Sequence, residues 1–170
     1  MDADALRALQ APLKQQYRDE PETAVLTLTA EGAVDDAGIA CKVQTGRALV
    51  TAGLHPATGG SGIEARSGDM LLEALVACAG VTLKAVATAI GIEITSGHVR
   101  AEGDLDFRGT LGVDRGAPVG FSDIRLSFDV VSDATQEQRD QLLKLTERYC
   151  VVLQTLRSAP AVSAALTPAP

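Results

Sequence analysis

The residues of this chain with the widest chemistry are its three cysteines, Cys41, Cys78 and Cys150. A thiolate is a nucleophile, a metal ligand and the group that peroxides oxidise first, whereas a buried thiol in apolar surroundings is inert. The cysteines lie far apart along the chain, so no local motif such as C-x-x-C joins any two of them. Each one therefore starts with two interpretations, a packing residue or a reactive centre.

The neighbours of each cysteine favour packing to different degrees. Cys41 alternates with Ile39 and Val43 on a predicted strand, where a free cysteine behaves as a small hydrophobe. Cys78 lies in the segment "LVACAG", whose small residues fit tight helix packing but also let a substrate approach the sulfur. Cys150 follows a predicted helix, and a new helix starting there would lower its thiol pKa through the helix dipole. Composition alone favours packing for Cys41 and, more weakly, for Cys78.

Metal and cofactor sites are not expected. Three cysteines with His55 and His98 could supply four zinc ligands, but no pair has the short spacing of structural zinc modules. The glycine-rich segment "HPATGGSG" at 55–62 lacks the spacing of a phosphate-binding loop. We therefore predict neither a metal nor a cofactor.

Composition excludes several classes of protein. Hydrophobic residues make up 46% of the chain and aromatics only 3%, which predicts a folded core of aliphatic side chains. The net charge of −7 and the scattered basic residues argue against nucleic-acid binding. Charged residues interrupt the longest apolar run, around 71–86, and the acidic start does not resemble a secretory signal. We expect a cytoplasmic protein without a membrane span.

Hydrophobic periodicity predicts the first half of the fold. Residues 3–18 form an amphipathic helix that Pro12 kinks or splits, and segments 24–31, 39–43 and 48–54 form a three-stranded meander. A long helix follows over 67–90, with Ser67 as N-cap, Asp69 in its first turn and Gly91 at its end. Its apolar residues cover more than one face, so we expect it to be buried on most sides.

The second half adds two strands and two helices. Alternation over 98–108 and 124–130 predicts two strands of a sheet with one wet face. Thr135 and Gln138 form a predicted capping box for a helix that runs to about Tyr149. A helical piece at 151–158 and a last strand at 161–168 complete an α+β fold. We divide the chain into an N-terminal helical extension, 1–22, and one domain, 23–170.

Two segments of the chain resemble the OsmC/Ohr family, the osmotically inducible and organic hydroperoxide resistance proteins. The first is a Ser-x-Asp/Glu start to a long apolar helix that carries "AxxAC" at its centre. The second is a cysteine that opens a short segment after the next helix, here "RYCVVLQTL" at 148–156. The order of elements fits the family over residues 24–168, and the OsmC-type branch fits best. The residues of the first match are Ser67, Asp69, Leu71, Leu72, Ala74, Leu75, Ala77 and Cys78.

The resemblance implies a fold, an assembly and a reaction. It implies an intertwined homodimer in which the long helices are central and the sites form between subunits. Cys78 would attack the O–O bond of an organic or hydrogen hydroperoxide and become a sulfenic acid. Cys150 would resolve it as a disulfide, and a dithiol reductant would restore both thiols.

The chain departs from the family pattern at two places. Gly68 occupies a position where the family commonly carries proline. The same position lies ten residues before the cysteine, where organic hydroperoxide members carry glutamate. Asp69 therefore supplies the nearest carboxylate in this chain. The region 30–43, where the family carries an activating arginine, has none, which leaves Arg47 and Arg66 as candidates. The catalytic set implied is thus Cys78, Cys150, Asp69 and Arg47 or Arg66. The alternative is a non-enzymatic dimer that binds a small apolar ligand, with structural cysteines.

Overall fold

The computed structural model describes residues 3–34, 42–43 and 52–166, with side chains for 8–27 and 52–166. The helices are α1 (Ala3–Asp19), α2 (Ser67–Ile90), α3 (Phe107–Thr110), α4 (Gln136–Tyr149) and α5 (Val151–Arg157). The strands are β1 (Val25–Val34), β2 (Lys42–Val43), β3 (Ala52–Gly53), β4 (Ala65–Arg66), β5 (Ser96–Asp106) and β6 (Phe121–Val131). Short 3₁₀ turns cover Pro21–Ala24 and Pro56–Thr58. This is the α+β arrangement predicted from the sequence.

Four strands form an antiparallel sheet in the order β2-β1-β5-β6. The central strand β5 buries Val99 and Ala101 on one face and presents charged side chains on the other. On that wet face Arg125 pairs with Asp104 at 2.6 Å. The prediction of a sheet with one wet face is confirmed.

Helix α2 covers the apolar face of this sheet. It packs on β1 and β5, and α4 and α5 pack on it in turn. Its fully buried side chains, such as Leu72 and Leu75, form one core cluster with the sheet and α5, and Leu83 joins a second cluster with α4. By length and composition alone, α2 would also pass as a bilayer-crossing helix. Its apolar character here serves contacts with the sheet and the other helices.

The helix ends follow local chemistry, with one correction. Ser67 was predicted as the N-cap of α2, but Arg66 occupies that position with an extended backbone, and no side chain caps the helix. Asp69 lies in the first turn and Gly91 ends the helix at φ 74°, both as predicted. The capping box of Thr135 and Gln138 on α4 is also confirmed.

Two predicted strands come out differently. The described part of the third strand, β3, pairs in parallel with β4 in a separate two-stranded sheet and does not extend the meander. The last strand, predicted at 161–168, is wrong for the described residues up to 166, which form no strand. Val162 and Leu166 are almost fully exposed there. A tail of small residues offers little apolar surface to hold it against a sheet. Cys41 and Arg47 lie outside the described residues.

Helix α1 is docked onto the rest of the chain. It runs without interruption through Pro12, so the predicted split does not occur. Tyr17 is buried in a cluster with Ala24, Phe107 and other apolar residues, and its hydroxyl donates to the Ala57 carbonyl at 2.8 Å. The division at residues 22 and 23 stays a prediction.

Candidate active site

One helix and one helix junction position the cysteines. Cys78 lies near the middle of α2 and is half-buried. Cys150 is fully buried and stands between α4 and α5, ending one and starting the other. Its N–H donates to the Thr146 carbonyl at 2.9 Å, and its own carbonyl accepts from Gln154 at 2.9 Å. The extended backbone at this residue (φ −71°, ψ 105°) bends the chain, so that α5 packs on α2.

The structure brings Cys78 and Cys150 into contact. Both are free thiols, and their side chains lie close enough for the Cys150 thiol to lower the pKa of Cys78 by hydrogen bonding. Two residues that are distant along the chain therefore share one site, which the separate segments could not reveal.

Further donors surround the Cys78 sulfur. The backbone N–H groups of Val151 and Val152, in the first turn of α5, point at it, and the Thr82 hydroxyl lies one turn further along α2. Burial, the largest single influence, raises the pKa of Cys78. The hydrogen bonds from the backbone, Cys150 and Thr82 together outweigh it, so the pKa of Cys78 lies below its ordinary value. The site thus favours a thiolate at Cys78.

Thr82 has two acceptors and one proton. Its hydroxyl lies 2.7 Å from the Cys78 carbonyl oxygen and also within hydrogen-bond reach of the Cys78 sulfur. Since one hydroxyl donates one hydrogen bond at a time, we expect it to serve the carbonyl beside a thiol and to turn toward a thiolate. The sequence analysis missed this residue, although its spacing of four from Cys78 places both on one helix face.

Cys150 has the opposite electrostatic environment. Burial is the main cause that raises its pKa, to about 11, and the neighbouring Cys78 adds to the rise. The N–H groups of Leu153 and Val152 offset only part of it. At neutral pH Cys150 is therefore a protonated thiol that can donate to Cys78.

Arg66 and Asp69 pair with each other at the start of α2. At a rise of 1.5 Å per residue, Arg66 lies about 18 Å and Asp69 about 14 Å from Cys78 along the helix axis. Neither side chain spans that distance within one chain. His55 lies near this pair, so the charges of both residues act on it. Its ring stacks on that of Phe107, with the two ring centroids 4.8 Å apart.

Two cavities adjoin these elements. A groove of about 630 Å³ runs between β6 and the helices α4 and α5. Its lining combines apolar side chains, such as Phe121, Leu126 and Leu153, with the charged Asp123, Glu147 and Arg157. A second cavity, of about 400 Å³, lies at the start of α2 and is lined by His55 and Arg66, among others. Within the described part of the chain, no three potential metal ligands come together.

Comparisons with known proteins agree with the fold described above. The crystal structure of an OsmC-like hydroperoxide resistance protein from Jannaschia sp. CCS1 aligns with a TM-score of 0.62 and 16% identity, over 85% of this chain and 95% of that one. An OsmC-like protein from Mycoplasma pneumoniae aligns with a TM-score of 0.55 and 19% identity, over 76% and 86%. A comparison with curated sequences finds no match. These likenesses show the fold.

The sequence profile of the family described as OsmC-like protein matches residues 59–165. That range contains the helix α2, the strands β5 and β6, and the junction that carries Cys150. It also contains the groups that lower the pKa of Cys78. The chain belongs to the OsmC-like family.

Proposed function

We propose that this protein is a thiol-dependent peroxidase in which Cys78 reacts first and Cys150 resolves the product. The observation that carries the proposal is the contact between the two thiols, with the pKa of Cys78 lowered and that of Cys150 raised. Such a pair separates the roles, because the Cys78 thiol gives up its proton more readily than the Cys150 thiol. The Jannaschia relative in fold is a hydroperoxide resistance protein, which supports the same theme.

The reaction balances with the residues present and two co-substrates. The Cys78 thiolate attacks a hydroperoxide, and an S–O bond forms as the O–O bond breaks. The leaving oxygen takes a proton from water and departs as the alcohol or as water. Cys150 then attacks the sulfenic sulfur, its thiol proton and the hydroxyl group leave as water, and a disulfide forms. A dithiol reductant takes up the oxidation by becoming a disulfide itself. Both protein thiols are thereby restored.

The accessibility of the two thiols fits this order. Cys78 is half-buried and can meet a small peroxide, whereas Cys150 is fully buried behind it. A residue that must react only with its neighbour needs no access to solvent. Because the two side chains are already in contact, resolution requires little chain movement.

We further propose that the active form is a homodimer. Leu71, Ala74, Val81 and Ala85 follow the i, i+3, i+4 spacing on the face of α2 that also carries Cys78. Leu71 is 37% and Val81 39% exposed, although this face is apolar. A second copy packed there would bury these side chains and narrow access to Cys78. It would also allow an Arg66–Asp69 pair of one copy to approach Cys78 of the other.

Mixing two inactive variants tests that arrangement. Arg66→Ala should slow oxidation more than tenfold, and Cys78→Ser should abolish it. Unfolding and refolding the two variants together should restore about a quarter of the wild-type activity, since half the dimers are mixed and each has one intact site. If the refolded mixture is no more active than the sum of the two variants measured separately, the activating cation lies elsewhere. Arg47→Ala is then the variant to measure.

One equivalent of cumene hydroperoxide tests the peroxidase itself. Stopped-flow measurement should show thiol loss faster than for free cysteine at the same pH, and non-reducing mass spectrometry should show a Cys78–Cys150 bond. Cys78→Ser should remove both signals, while Cys150→Ser should stop at a sulfenic acid that dimedone traps. Thiol loss at the rate of free cysteine would exclude the proposal.

A second candidate function rests on the groove beside β6. Its volume of about 630 Å³ and its apolar side chains suit a small apolar ligand, with the cysteines as packing. A fluorescent fatty acid serves as a probe for that function. Binding that is unchanged in Cys78→Ser, together with no peroxide reaction, would favour this candidate over the peroxidase.

A further inference from the structure

A hydroxyl group is buried without a partner next to the cysteine pair. Thr146, on α4, has no solvent exposure, and its Oγ1 makes no hydrogen bond to any part of the chain that the structure describes. Most buried polar side-chain atoms have a partner, so an exception requires a reason. Valine would fill the same shape without the unpaired oxygen. The fold alone gives no reason for a threonine here.

The position of Thr146 relative to the cysteines suggests a reason for the threonine. Leu142, Thr146 and Cys150 follow one another at spacings of four and form the buried stripe of α4 and its junction. Leu142 packs in the cluster that contains Leu83 of α2. Cys150 packs in the cluster that contains Ala79 and, at its edge, Cys78.

Along α4, Thr146 therefore lies between the residue that joins one cluster and the residue that joins the other, one turn before Cys150. Residues four apart on a helix face are neighbours, about 5–6 Å between Cβ atoms. A threonine hydroxyl in a helix can occupy more than one rotamer. Rotation about its Cα–Cβ bond thus changes which neighbour it can reach.

We infer that the Thr146 hydroxyl is the hydrogen-bond donor for the Cys150 thiolate in the resolving step, a role that rests on the proposed peroxidase. Before oxidation the Cys150 proton is directed to Cys78, and the Thr146 hydroxyl takes no part. Once Cys78 is a sulfenic acid, Cys150 must pass that proton to the sulfenic hydroxyl, which leaves the Cys150 sulfur briefly negative in a dry site. The Thr146 hydroxyl, one turn away, stabilises this sulfur while it attacks the Cys78 sulfur. The S–S bond forms as the S–O bond breaks and water leaves.

The surroundings of Cys150 explain why an additional donor is needed. Of the described titratable groups, Cys78 on α2 is the one that acts on it, and its effect raises the pKa of Cys150. From α5, the N–H groups of Val152 and Leu153 act in the other direction without overcoming burial. No arginine or lysine among the described residues contributes. A neutral donor is the remaining means of stabilising the thiolate.

Thr146→Val and Thr146→Ser separate this role from packing. With a hydroperoxide in stopped flow, Val should leave the oxidation of Cys78 unchanged within about twofold and slow disulfide formation by about tenfold or more. Serine, which keeps the hydroxyl, should restore the second phase. Thermal melting should show Val as stable as the wild type or more so, because it removes an unpaired polar atom. Disulfide formation at the wild-type rate in Val would overturn the inference.

A measurement without peroxide keeps the two proposals distinguishable. In a Cys78→Ala background, the pH dependence of Cys150 alkylation by iodoacetamide reports its pKa. Thr146→Val should raise that pKa by about one unit relative to Thr146 and Thr146→Ser. Should peroxide fail to oxidise Cys78 while this shift appears, the hydroxyl contact stands and the peroxidase falls. Should the disulfide form normally without any shift, the inference about Thr146 falls alone.

Discussion

The thiol of Cys150 lies where it can donate a hydrogen bond to the sulfur of Cys78, and this relationship moves their two pKa values apart. A hydrogen bond to the charged form of a group stabilises that form, so the pKa of Cys78 falls. The same proton is held more firmly on Cys150, whose pKa rises to about 11, chiefly through burial. One spatial relationship thereby distinguishes a thiol that ionises readily from one that stays protonated.

Replacing Cys150 tests this coupling directly. Cys150→Ala removes the donor, so the pKa of Cys78 should rise and its alkylation at pH 7 should slow. Cys150→Ser is the matched control, because its hydroxyl can still donate and should keep the pKa of Cys78 low. The pH dependence of iodoacetamide alkylation at Cys78 measures both. Equal pKa values in Ala and Ser would show that the Cys150 side chain has no such effect.

Thr82 is expected to support the same thiolate. Thr82→Val keeps the shape but removes the donor, so the pKa of Cys78 should rise and peroxide oxidation at pH 7 should slow several-fold. As pH rises, the difference should shrink, because the thiolate fraction of the variant approaches that of the wild type. Thr82→Ser should behave like the wild type. A deficit in Val that stays constant up to pH 10 would assign Thr82 a packing role.

The docking of α1 can be measured through one hydrogen bond. Tyr17→Phe leaves the buried Ala57 carbonyl without its donor and should lower the free energy of unfolding by about 1–2 kcal/mol. Tyr149→Phe, at an exposed tyrosine, is the control and should change it by less than about 0.5 kcal/mol. Urea denaturation gives both values. A Tyr17→Phe protein as stable as the control would mean that α1 docking does not depend on this bond.

Asp104 should contribute to stability in acid. Arg125 and Thr27 both donate to its carboxylate, which lowers its pKa to about 2 from the ordinary value near 4. The folded state thus holds the proton less tightly than the unfolded state. The contribution is present above about pH 4 and disappears as pH falls toward 2.

Asp104→Asn should therefore be less stable than the wild type at pH 6, and the gap should close between pH 4 and pH 2. Asp129→Asn, which removes an equal charge from exposed Asp129 on β6, is the control for net charge. Urea midpoints across this pH range provide the comparison. A constant gap for Asp104→Asn would contradict the assigned ion pair.

Much of the fold could be predicted from the sequence, because local patterns determine it. The two-residue alternation of β5 and β6, the capping box at Thr135 and the glycine that ends α2 each act within a few residues. The prediction of a last strand was wrong for the converse reason, since a strand needs a neighbour that its own segment does not specify. The third strand likewise took a partner, β4, that alternation could not indicate.

By itself the sequence determined which side chains could carry redox chemistry and on which elements they lie, because residue type and periodicity are properties of single segments. Only the tertiary structure decided that α5 folds back on α2, that Cys150 and Thr82 lie within reach of the Cys78 sulfur, and that Arg66 pairs with Asp69 far from it. Those outcomes depend on packing between distant segments, where the burial of apolar faces sets distances that no spacing along the chain contains.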